Sequence, residues 1–188
     1  LLYERHFMML IGFDVSLCVM ARLHVSSNLV VSFALYGALH AAALILSLRV
    51  RQRSWRVSLF IALSAALSAV IVRGGMAGMH VSGGLPADVT PYLVLGSSAM
   101  TGAVGYAILV RLFGVHALSP GEIATICIAC LCATHIAIFT LKHFQFFGPW
   151  WLAVLWWHAF SGCLWYFDRV QGLQGERTCS GRTPRPRI

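Results

Sequence analysis

The sequence predicts an all-α integral membrane protein of five to six transmembrane helices, and two observations predict it. Of the 188 residues, 59% are hydrophobic and only 11% are charged, against about 25% charged in a soluble domain. The apolar residues also fall into runs long enough to cross a hydrocarbon core of about 30 Å at about 1.5 Å per helical residue. The net charge of +8 does not point to nucleic acid. Its arginines lie in short clusters between apolar runs and in the tail, the pattern left when basic residues stay on the side from which segments are inserted. Residues 1–170 read as a single transmembrane helical domain and 171–188 as a basic, polar C-terminal tail.

The first apolar segment runs from Phe7 to Leu23 and carries Asp14, either a buried functional carboxylate or a partner for Arg22 or a neighbouring subunit. Leu29 to Leu48 forms the second, with His40 on an Ala/Leu-rich surface, where a lone histidine is a hydrogen-bonded packing residue more often than a ligand. Arg49, Arg51, Arg53 and Arg56, with Trp55 among them, mark a loop on the cytoplasmic or matrix side. Val57 to Val72 is the third segment, rich in Ala and Ser and so suited to close helix contact. Gly74 to Thr90, with its glycines and Pro86, reads as a long polar connection of irregular backbone.

Pro91 can open the fourth segment at its first position, followed by a small-residue surface at Gly96, Ser97, Ser98, Gly102 and Gly105. Pro120 would kink a continuous helix before the chain resumes over Gly121 to Leu141. Lys142 to Pro149 makes a turn. The last segment, Trp150 to Phe167, combines an interfacial aromatic belt with bulky contact surface and holds His158. From Gln171 the arginine-rich tail is expected to be extended or disordered. Six crossings would put the N-terminus, the arginine loop and the tail on one side.

Five of the six cysteines, Cys18, Cys127, Cys130, Cys132 and Cys163, lie within apolar runs, where a thiol packs as a small hydrophobe. The spacing of Cys127 and Cys130 matches redox and metal motifs, but no second pair or acidic motif accompanies it. No metal site is expected.

The block from Val89 to Leu141 contains only two full charges besides its ends' context, Arg111 and Glu122. An arginine at a helix centre in lipid costs at least about 2.5–3.5 kcal/mol and is functional by default. On one unbroken helix the two charges would share a face roughly 16 Å apart, too far for a salt bridge but suited to a proton relay. Arginine stays protonated, so its role there would be an electrostatic gate. Counted from Pro91, however, Arg111 follows about 30 Å of helix, so an upright segment would leave it at the membrane edge.

The run Arg111-Leu112-Phe113-Gly114, followed by Gly121-Glu122-Ile123, resembles the penultimate helix of the F-type ATP synthase a subunit. Trp157-His158-Ala159-Phe160 and the later Tyr166 resemble that family's final helix, with His158 at the place of a glutamine. The resemblance covers residues 105–168, departing at Val115-His116 and at Ser119-Pro120. It implies that the last two helices form a long tilted hairpin against a ring of c subunits. Arg111 would then separate two aqueous half-channels, with Glu122, His116 and His158 along the proton path. His135 would be a packing residue. The chain would be a non-catalytic, proton-translocating subunit of a larger enzyme, needing no cofactor and embedded in the lipid bilayer. The expected membrane is the mitochondrial inner membrane, since the chain begins at Leu1 without methionine, with a bacterial inner membrane as the alternative.

A structural subunit resembling cytochrome c oxidase subunit III is the alternative, on Phe147-Gly148, Trp156-Trp157-His158 and Trp165. A heme or quinone protein using His40, His135 and His158 and a small-solute transporter are further classes. The transporter lacks the expected pair of interrupted segments in two repeated halves.

Overall fold

The computed structural model describes residues 29–47, 53–81, 84, 86–144 and 150–180, without the side chains of 47, 150 and 171–180. The expected first segment, with Asp14, lies outside them. The described residues form five helices and no strand: α1 Leu29–Ser47, α2 Ser54–Val81, α3 Thr90–Leu112, α4 Pro120–His143 and α5 Trp150–Ser180. Four of these, α1 to α4, are long and apolar enough to cross a membrane. The architecture is thus all-α and of multi-pass membrane type, with fewer such spans among the described residues than the five to six expected.

Each helix packs against its neighbours in sequence, and consecutive helices run antiparallel. Side-chain pairings show the directions: Gly75 and Gly78 of α2 face Ser98 and Val94 of α3, while Gly102 and Gly105 face Ile71 and Leu67. The odd helices run parallel. His40 of α1 reaches Ser161 of α5, and Trp156 of α5 reaches Ala99 of α3. One end of the bundle, the arginine end, therefore carries Arg53, Arg56, Arg111, Glu122, Asp168 and Arg169.

In lipid, apolar side chains gain nothing from leaving water, so helix contact depends on close packing and on hydrogen bonds between helices. The interior follows that rule. Gly37 lets α1 approach α2 so closely that a Cβ there would collide with Ser68 and the Ser64 carbonyl. On α3 the buried positions are mostly small: Gly96, Ala99, Gly102, Ala103 and Ala107. These leave room for the large buried rings of Tyr36, Tyr106, Phe60 and Phe160. Val31, Leu35 and Leu39 on α1 and Ile128, Ile136 and Phe139 on α4 point outward, as lipid-facing residues should.

Three expected boundaries are corrected. Helix α2 continues to Val81 instead of ending at Val72, so Gly74, Gly75 and Gly78 are helical. A helical glycine costs about 1 kcal/mol relative to alanine. Here the missing side chains are what admit α3: a Cβ on Gly78 would lie 2.9 Å from Val94 Cγ1, and one on Gly75 3.2 Å from Ser98 Oγ. Helix α5 runs on to Ser180, into the stretch expected to be extended. Gln171, Leu173, Gln174, Glu176 and Arg177 are good helix formers, and no proline intervenes before Pro184.

The third correction concerns Pro120, which does not kink one helix but opens a new one. Helix α3 ends at Leu112, and Gly114 takes φ 62°, the left-handed region that glycine enters without steric cost. The Val115 N–H closes the turn on the Val110 carbonyl. Ser119 then caps α4: its hydroxyl accepts from the Glu122 N–H, and the Glu122 carboxylate accepts from the Ser119 N–H at 2.7 Å. Pro120 occupies the first turn, where its missing N–H is harmless.

Candidate functional site

Polar groups from several helices meet around Trp157 of α5, which is 4% exposed. His40 stacks on the Trp157 ring at 3.7 Å between centroids, and Tyr106 meets the same ring edge-on at 4.6 Å. Tyr36 approaches from α1 and Phe160 from one turn further along α5. Two hydrogen-bonded groups flank this stack. His40 Nε2 and Ser161 Oγ lie 2.9 Å apart, joining α1 to α5. On the other flank Tyr106 donates its hydroxyl to the Ser64 carbonyl at 2.5 Å. A phenol has one proton, so the Ser68 hydroxyl, 2.6 Å away, is the donor to Tyr106.

Beyond this floor, toward the end opposite the arginines, the helices part. A chamber of about 270 Å³ opens among α1, α2, α3 and α5, with Thr134 of α4 contributing one wall atom group. Ser68, Tyr106, Trp156 and Trp157 form one end, and Phe33, Met76, Met79 and Leu152 line it further out, Met76 and Met79 being partly exposed. Its hydroxyls are turned back into the protein. Ser98 donates to the Val94 carbonyl and Thr134 to the Cys130 carbonyl, each one turn back on its own helix. Ser68 and Tyr106 bond as described, and the Trp156 indole N–H donates to the Ala99 carbonyl at 3.2 Å. The donors of these groups are therefore committed within the protein, and the rest of the lining is mostly apolar and aromatic.

The residues expected along a proton path do not share one site. Arg111 is exposed in the last turn of α3, in line with the exposed Val104 and Ile108. Glu122 belongs to the first turn of the next helix, where it completes the cap. The unbroken helix that would carry both charges on one face is replaced by the turn at 113–119. His116 lies in that turn, its side chain 6% exposed and its Nδ1 4.0 Å from Asp168 Oδ1 of α5. His158 is half-buried on α5, its Nδ1 2.6 Å from the Val154 carbonyl. A carbonyl can only accept, so Nδ1 carries the proton. His158 lies roughly 15 Å along α5 from Asp168 and the arginine end.

The other histidines have structural surroundings. His135 donates to the Leu131 carbonyl and lies against Tyr92 and the bare face of Gly96. His40 has its Nε2 engaged by Ser161. Cys127 and Cys130 are buried, Cys132 faces outward, and all are free thiols with Cys163. Among the described residues no group of three His, Cys, Asp or Glu side chains is placed to hold a metal ion.

Sequence reasoning missed Arg73. It falls between the expected third segment and the expected connection, and is an exposed arginine about 12 Å inside the Val81 end of α2. Its neighbours Val72, Gly75 and Met76 all line the chamber. The signal was present in Ile71-Val72-Arg73 followed by Met76, but the glycines between disguised it. The capping box at Ser119 and Glu122 was also legible, as serine followed three residues later by glutamate. Compared with models of known protein families, with curated proteins and with solved structures, the chain matches none of them.

Proposed function

We propose that this chain is a multi-pass membrane protein that takes a hydrophobic molecule from the bilayer into the chamber among α1, α2, α3 and α5. One observation carries this: the chamber's hydroxyls and the Trp156 indole are already hydrogen-bonded within the protein. A guest with several polar groups would find the hydroxyl and Trp156 donors committed and lose its own water, at a cost of about 1–3 kcal/mol for each group left unpaired. A hydrocarbon guest loses nothing. The chamber is nearly twice the 150 Å³ that holds one benzene, enough for roughly ten carbon atoms. Its test is photolabelling from within the bilayer, with Met76→Trp filling part of the chamber.

A second reading is favoured by the exposure of Arg111 on the outer face of α3 beside Ile108. An arginine presented outward suits a carboxylate on a partner's helix, as in the proton-conducting a subunit of the ATP synthase membrane sector facing its c-ring. This requires α3 to be tilted, because upright it brings Arg111 to the hydrocarbon edge. The expected result is co-purification with a ring of small two-helix subunits and loss of coupled proton flow in Arg111→Ala. Retained ATP-driven proton pumping in that variant would refute it.

A further inference from the structure

Six side chains that line the chamber carry a polar hydrogen: Ser68, Ser98, Tyr106, Thr134, Trp156 and Trp157. Five of these hydrogens are committed. Tyr106 donates to the Ser64 carbonyl and Ser68 to Tyr106. Ser98, Thr134 and the Trp156 indole donate to the carbonyls of Val94, Cys130 and Ala99. The Trp157 N–H is the exception, for among the described residues it has no hydrogen-bond acceptor. Its ring is 4% exposed and enclosed by His40, Tyr36, Tyr106 and Phe160, and the chamber borders it as well. A buried indole N–H ordinarily finds a partner, and one kept from water without a partner is costly.

We infer that the chamber's guest is a hydrophobic molecule with one uncharged oxygen, a hydroxyl or a carbonyl, that accepts the Trp157 N–H. The inference rests on the chamber being a binding site. Five committed donors leave one for the guest, so a single acceptor group is served and a second is not. No charged residue lines the chamber, so a carboxylate or an ammonium would be buried without a counter-charge. The hydrocarbon part of the guest lies against Phe33, Met76 and Leu152. A guest hydroxyl also brings a proton. Ser68, at the same end as Trp157, has given its own proton to Tyr106 and keeps acceptor capacity on its oxygen.

Competition of decane, decan-2-one and decan-1-ol with an uncharged alkyl diazirine for photolabelling of the full chain in bilayers tests this. Each competitor is compared at equal membrane concentration, in the wild type and in Trp157→Phe, which keeps an aromatic ring and removes the N–H. The ketone or the alcohol should outcompete decane about fivefold in the wild type, the ratio expected for one net hydrogen bond. Trp157→Phe should erase that advantage while decane still competes, which shows the chamber intact. A stronger alcohol assigns a hydroxyl to the guest, a stronger ketone assigns a carbonyl, and an equal gain supports the shared acceptor oxygen. An advantage unchanged in Trp157→Phe would overturn the inference while leaving the chamber a hydrophobic site. So would oxygen-bearing guests that compete no better than decane in the wild type, whether or not the variant folds. If none of the three competes, the chamber reading fails and the inference with it.

Discussion

His40 illustrates how one residue's meaning depends on its partner. From sequence it was a histidine in an apolar helix, with packing and ligation both open. In the fold its ring lies on Trp157 and its Nε2 meets Ser161. Hydrogen bonds between membrane helices contribute about 0.6 kcal/mol on average and up to about 1.7 kcal/mol. Ser161→Ala should therefore lower unfolding stability in bicelles by about that much. A double-mutant cycle with His40→Phe should return a coupling of the same size, whereas additive effects would mean that the two side chains do not interact. Arg111 and Glu122 are the opposite case. Their charges were legible in the sequence, but their relation was not, because it depended on whether Gly114 and Ser119 break the helix between them.

At the scale of elements, most of the helices were legible because their apolar runs have the length a bilayer demands. Pro91 and Pro120 fall within the first turns of α3 and α4, as their missing N–H groups require. The far half of α2 was not legible, since a run of glycines signals a loop when only local preference is weighed. Tertiary contact reverses that preference at Gly78 and not at Gly74, where an added Cβ would meet nothing within 4 Å. Gly74→Ala should thus stabilise the protein by up to about 1 kcal/mol. Gly78→Ala should destabilise it by about 1–3 kcal/mol through overpacking against Val94. Thermal unfolding in detergent reads both, and Val94→Ala should rescue the second. Stabilisation by both alanines would show that α2 does not approach α3 there.

At the scale of the molecule, the sequence class and the helix order lead to a bundle with Arg53, Arg56, Arg111 and Arg169 at one end and a chamber toward the other. The chamber itself could not be read from the chain. Its walls come from positions as distant as Leu29 and Trp157, and a gap between helices depends on which faces meet. Small residues on α3 and bulky rings on α5 set that gap: Gly102 receives Trp156, whose ring would lie 3.1 Å from an added Cβ. The space that remains is lined mostly by apolar side chains. The most direct measurement is photolabelling of the membrane-embedded protein with an uncharged alkyl diazirine, followed by peptide mapping. Labelling should concentrate on the chamber segments around Phe33, Met76 and Met79, exceed that of the outward Ile128 and Ile136 on α4, and fall in Met76→Trp. Equal labelling of chamber and outer faces, unchanged in Met76→Trp, would contradict the account.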